Sequence, residues 1–214
     1  MSTYLHEILG HEVKALIFDM DGVLIESSRE HIEAWRFAAE RYGYSFDMDF
    51  SRVYGKRGRD IVREIAPEAD EKDISGMVDL AEKRFREIYR VRPFDDVVSF
   101  IEDAKKRGKR VVLVTSAPGA NVDLVLSSLR IDFDAMVTGE EVKKGKPDPE
   151  PYLRALEKIT DEREECVVFE DSFAGIESAR RAGIDVVGIA STSRREDLER
   201  LGIRAIESFG ELLV

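Results

Sequence analysis

Short, unbroken apolar runs alternate along this chain with longer stretches whose apolar residues recur at helical spacing, the pattern of a parallel α/β sheet. The runs at 15–18, 111–114, 135–137, 167–169 and 186–189 read as buried strands. None alternates apolar with polar residues, as expected where helices cover both faces of a sheet. Residues 204–206 read as a short edge strand, and helical patterns occupy 95–107, 122–129, 150–158 and 173–182. Gly108 and Gly183 follow two of those patterns, where a left-handed backbone ends a helix at no steric cost. The expected fold class is α/β, a Rossmann-like parallel sheet with helices on both faces.

One interval breaks the pattern. About ninety residues separate the first two strand-like runs, where a crossover connection takes a dozen or more. Within it 28–42, 59–65 and 74–89 look helical and no strand-like run occurs; Ile32, Trp35, Phe37, Ala38 and Tyr42 roughly keep helical spacing. Residues 26–92 are therefore read as an inserted α-helical cap domain, and 1–25 with 93–214 as the core domain. The chain shows no internal repeat and no low-complexity segment.

Composition narrows the function classes. Hydrophobic residues make up 43% of the 214, which supports a packed core and argues against global disorder. Lys and Arg number 33 against 44 Asp and Glu, a net charge of −11. Such acidity argues against nucleic-acid or membrane partners while leaving room for a local anion pocket. The single cysteine, Cys166, has no partner for a disulfide or thiolate metal site and, preceding Val167, Val168 and Phe169, reads as a buried packing thiol. No apolar run reaches the roughly 20 residues of a membrane span. His6, Glu7, His11 and Glu12 interrupt any signal-peptide core, so a cytoplasmic protein is expected, and a monomer. Gln is absent and Asn occurs once, at Asn121, while Glu, Lys and Arg abound, a composition associated with thermophiles.

The chemistry-bearing residues stand at strand ends. The first strand runs into Asp19-Met20-Asp21-Gly22, placing two carboxylates where open α/β sheets hold their ligands. Asp and Gly are also ordinary turn residues, so the other strand ends decide. The second strand ends in Thr115-Ser116 and the fourth in Glu170-Asp171-Ser172; between them Gly145-Lys146-Pro147 fixes a lysine before a proline. Singly, Lys146 also reads as a surface charge beside Lys143 and Lys144, and Glu170-Asp171 as the cap of the next helix. In this order, from Asp19 to about Ile189, the set resembles the haloacid dehalogenase superfamily of phosphotransferases. The helical insert resembles its subclass of small-molecule phosphatases and β-phosphoglucomutase-like enzymes.

That resemblance implies that Asp19 is the nucleophile, becoming an aspartyl-phosphate, with Asp21 as general acid and then base. It implies that Thr115, Ser116 and Gly22 bind the phosphoryl group and that Lys146 neutralises its charge. Mg²⁺ is implied on Asp19, the backbone carbonyl of Asp21 and Asp171, with Glu170 as a ligand or directly behind one. The physics agrees: a carboxylate attacks phosphorus only once the phosphate charge is neutralised, and neighbouring carboxylates in distinct environments split their pKa values. In the insert, His31, Trp35, Lys56, Arg57 and Arg59 are candidate substrate contacts, although His31 reads equally as a packing residue and 55–59 as a solvated charge cluster. Mutases of the family grip a remote phosphate with a cap arginine shortly after a glycine; counted from Gly55, that position falls on Gly58, between Arg57 and Arg59. At the expected hinge stands Glu26-Ser27, where the family often has Asp-Thr or Asp-Ser. The expected function is Mg²⁺-dependent hydrolysis of a small phosphorylated metabolite. The alternatives are a sugar-phosphate mutase and, from another class, a binding or regulatory module without turnover. A dehalogenase fits less well, because Asp21, Glu170 and Asp171 suit a metal site those enzymes lack.

Overall fold

A computed structural model of the protein describes residues 10–159 and 162–213; His6 and Glu7 lie outside them. Six parallel strands form one sheet: β1 (Ala15–Phe18), β2 (Arg110–Val114), β3 (Ala135–Val137), β4 (Cys166–Glu170), β5 (Asp185–Ile189) and β6 (Arg204–Ile206). Their order is β3-β2-β1-β4-β5-β6, so the chain winds outward from β1 in one direction and then in the other. The crevice between β1 and β4 is thus the switch point at which such sheets hold ligands.

Side-chain alternation sorts the strands onto two cores. Leu16, Phe18, Leu113 and Phe169 face one side, where Phe18 meets Phe100, Phe133, Phe169 and Phe209 with ring centroids 4.9–6.5 Å apart. Ala15, Ile17, Val112 and Val168 face the other, against Tyr152 and Ile176. Helices α4 (Val97–Lys106) and α5 (Gly119–Leu129) supply the first layer, and α6 (Glu150–Ile159) and α7 (Phe173–Arg181) the second. Cys166 is fully buried in the second core, as its surroundings in the sequence imply.

Between β1 and β2 lie α1 (Ser28–Arg41), α2 (Gly58–Ile65) and α3 (Glu71–Ile88), packed around Trp35, Ala38, Phe50, Ile61 and Met77. Helix α3 starts three residues before its apolar pattern does, because the Asp70 carboxylate accepts the Asp73 N–H at 2.8 Å and caps it. Helix α5 likewise begins at Gly119, ahead of Val122. The five-residue α8 (Arg195–Glu199) and the 3₁₀ turns carry no readable period and are additions to the expected elements. The linkers into and out of the helical segment are also paired: Ile25 bridges Pro93 antiparallel, Glu26 N–H donates to the Arg92 carbonyl at 2.8 Å, and Phe94 N–H to that of Leu24 at 3.0 Å. Among the described residues, no helix is long and apolar enough to cross a membrane.

Candidate active site

Strand register assembles the site. Phe18 pairs with Leu113 on one side and Phe169 on the other, so the residues that follow, Asp19, Val114 and Glu170, leave the sheet side by side. Thr115 comes one step beyond. Gly22 has φ +83°, and a Cβ there would stand 2.0 Å from Asp171 Oδ2, so only glycine lets this turn close on Asp171. Gly22 does not line the cavity; its backbone admits Asp171.

Lys146 is buried, and its ammonium donates to Asp19 Oδ1 at 2.7 Å, Glu170 Oε1 at 2.5 Å and the Val114 carbonyl at 3.3 Å. The surface-charge reading of Lys146 therefore fails. Burial pulls its pKa down, but the Asp19 and Glu170 carboxylates more than offset that and raise it. Ser172 caps α7 through the Gly175 N–H at 3.0 Å, so Glu170 and Asp171 are free of capping duty. Glu170 is nonetheless saturated. Oε1 also accepts from the Tyr152 hydroxyl at 2.8 Å, and Oε2 accepts the Asp171 and Ser172 N–H groups and the Ser172 hydroxyl at 3.1–3.2 Å. These donors occupy its lone pairs, which suits a group that positions Lys146 and Asp171 from behind.

Oxygens of Asp19, Glu170 and Asp171 lie within 4.8 Å of one another, all buried. Burial, then the neighbouring carboxylates, push Asp19 up to about 7 against the pull of Lys146, and push Asp171 well above the ordinary range. Asp171 Oδ2 is steadied by the Thr192 hydroxyl at 2.5 Å. Hard oxygen donors around uncompensated negative charge fit a small divalent cation such as Mg²⁺.

Asp21 differs. Burial pushes its pKa up, but the charge and hydrogen bond of His31 and the Ser27 hydroxyl hold it below the usual range. Its Oδ1 accepts from Ser27 at 2.5 Å and lies 3.0 Å from His31 Nε2. His31 also stacks on Phe85 with centroids 4.0 Å apart, so it combines packing with a contact to Asp21.

A cavity of about 60 Å³ joins these groups: Asp19, Asp21, Thr115, Ser116 and Asp171 form one side, and His31, Trp35 and Lys56 belong to the other. The remaining two candidates are spent elsewhere. Arg57 holds Asp60 and the carbonyls of Val142 and Lys143, each at 3.0 Å, while Arg59 pairs with Glu71 on the surface. Neither lines this cavity; both line an open one beside it, between the helical segment and the core. Sequence reasoning missed Tyr152, Thr192 and Glu82. Thr192, three residues past the end of β5, had a strand-end position as its signal; the two helical residues had none.

The comparisons agree with this geometry. A family model for haloacid dehalogenase-like hydrolases matches residues 16–189. The phosphorylated carbohydrates phosphatase of Thermotoga maritima is 38% identical over 181 residues, 81% of this chain and 83% of the relative. The fructose-1-phosphate phosphatase YqaB of Escherichia coli is 31% identical, with 81% and 95% covered. A hydrolase from Pseudomonas syringae superposes with a TM-score of 0.86 at 25% identity, over 94% of this chain and 96% of that one. The family match spans the strand ends from Asp19 to Asp171, so this chain belongs to the haloacid dehalogenase-like hydrolases and is a hydrolytic enzyme.

Proposed function

We propose that the enzyme hydrolyses phosphate monoesters of small sugars or polyols through an aspartyl-phosphate on Asp19. The observation that carries this reading is the Asp19 carboxylate at the wall of a cavity between helical segment and sheet, held from behind by a buried lysine. Relatives named as phosphatases of phosphorylated carbohydrates and of fructose 1-phosphate support the substrate class.

An Asp19 oxygen attacks phosphorus as the bond to the leaving alkoxide breaks, and the Asp21–His31 pair delivers its proton to the alkoxide oxygen from the Asp21 carboxyl. Asp21, held ionised, then takes a proton from water attacking the phosphoaspartate, which releases inorganic phosphate and restores Asp19. Thr115 and Ser116 hold phosphoryl oxygens, and Lys146 keeps Asp19 oriented and offsets its charge. Bound Mg²⁺, on Asp19, Asp171 and the Asp21 carbonyl, supplies the positive charge that lets two anions meet. Residues 26–92 act as a cap over a core of 1–25 and 93–214, excluding bulk water.

The mutase reading needs a free cap cation for a second phosphate. Arg57, beside the position expected for that cation, is held by Asp60 and two core carbonyls, which favours hydrolysis instead. β-Glucose 1-phosphate primed with the bisphosphate is expected to yield inorganic phosphate; faster appearance of glucose 6-phosphate reverses the ranking. Phosphate release is expected to stop in EDTA and to fall at least a hundredfold in Asp19→Asn. A chelator-insensitive rate, or Asp19→Asn above a few per cent of wild type, overturns the mechanism.

A further inference from the structure

The reaction cavity has room for little beyond the reacting group. Each water-sized group needs about 10–15 Å³ of such space, so about 60 Å³ takes a phosphoryl group and not the sugar attached to it. The rest of the substrate must lie beyond an opening. Gly58, Glu82 and Ser116 line both this cavity and a second, open one of about 770 Å³ between the helical segment and the core. Those three residues therefore stand on the boundary between the reaction chamber and a vestibule.

Glu82 is the ionisable residue on that boundary, and it is held in place. The Asn121 amide nitrogen donates to Glu82 Oε2 at 2.6 Å, while the Asn121 carbonyl oxygen accepts from Arg86 at 2.9 Å. Asn121 is fully buried and is the chain's single asparagine. Its carboxamide donates and accepts at separate atoms without carrying a charge. One Glu82 oxygen is thus fixed; the other has no hydrogen-bond partner among the described residues, in a side chain that lines both cavities. The vestibule's Arg57, Arg59 and Arg86 each already hold a protein acceptor.

Resting on the phosphatase reading above, we propose that Glu82 is the specificity-determining residue for the leaving group, accepting a hydrogen bond from a hydroxyl of a neutral sugar or polyol as it passes into the vestibule. An acceptor oxygen at that threshold attracts hydroxyl donors and gives a substrate carboxylate nothing to pair with. The selected class is the phosphomonoester of an uncharged polyhydroxylated chain, and the rejected class is the phosphorylated hydroxy acid.

The test is the ratio of kcat/KM for sorbitol 6-phosphate to that for 3-phosphoglycerate, in wild type, Glu82→Gln and Glu82→Ala. Glu82→Gln keeps an acceptor for Asn121, and thermal melts establish that each variant is folded. The ratio is expected to fall about tenfold in Glu82→Gln, mainly through KM, and at least as far in Glu82→Ala. A fall of less than threefold in a folded variant, with the two substrates losing rate together, overturns the specificity role and leaves the phosphatase reading intact. A wild type that hydrolyses 3-phosphoglycerate as readily as sorbitol 6-phosphate does the same. A wild type that releases phosphate from no ester overturns both.

Discussion

Asp19 sits in a conflict that a single residue can report. Burial raises its pKa to about 7, helped by Glu170 and Asp21, while Lys146 opposes. A carboxyl whose folded-state value exceeds its unfolded value of about 3.9 binds more protons when folded between those pH values. Its contribution to stability is thus present below about pH 4 and lost as pH rises through 7; Asp171 acts in the same direction. Metal-free protein is expected to lose melting temperature from pH 5 to 8, and Asp19→Asn to flatten that slope. Mg²⁺ is expected to restore more stability at pH 8 than at pH 5, because at pH 5 protons compete for the same oxygens. Melts in EDTA and in Mg²⁺ at both pH values check this, and a slope unchanged in Asp19→Asn contradicts it.

At the scale of elements, the loop between α1 and α2 meets the ends of β2 and β4 with no slack. Gly55 has φ +76°, its carbonyl accepts from the Ser116 hydroxyl at 2.6 Å, and a Cβ there would stand 2.2 Å from Ser172 Oγ. Ser172 in turn caps α7 and donates to Glu170. Gly55→Ala therefore combines an unfavourable backbone with a collision against the cap of α7. Because the loop lies at the seam, it is expected to retreat from the core rather than unfold it. Steady-state kinetics with Mg²⁺ are expected to show kcat/KM down about tenfold, with the melt shifted by only a few degrees. A variant with wild-type kinetics would remove this loop from the account of closure.

Across the molecule, the helical segment joins the sheet through two linkers that run antiparallel and hydrogen-bond to each other. A pair tied in this way moves together, so any rotation of the segment against the sheet is about one hinge. Its angle in this structure is held by polar contacts at the far side: Ser116 to Gly55, Arg57 to the Val142 and Lys143 carbonyls, and Asn121 to Glu82 and Arg86. Loss of the Asn121 amide leaves Glu82 and Arg86 unpaired at the interface, which favours an open form where water satisfies them. X-ray scattering of Asn121→Ala is expected to give a larger radius of gyration than wild type, and a phosphate analogue with Mg²⁺ to reduce the difference. Superimposable curves for the two proteins would argue that these contacts do not govern the hinge.

The sequence alone determined the sheet, the inserted helices and the order of the strand-end groups. Each of these depends on local pattern: unbroken apolar runs for strands covered on both faces, helical periodicity elsewhere, and the chemistry of residues that follow a strand. Tertiary structure decided which groups touch. Lys146 lies between Asp19 and Glu170, residues 127 and 24 positions away, because the parallel register sets their strand ends side by side. The saturation of Glu170 by Tyr152 and the backbone beyond β4, and the diversion of Arg57 and Arg59, arise from packing between elements. Glu82 lies in a helix whose periodicity tells which face is apolar but not what that face meets. Periodicity describes a helix relative to its own axis; the partner across the interface is fixed only when the two bodies of packed side chains come together.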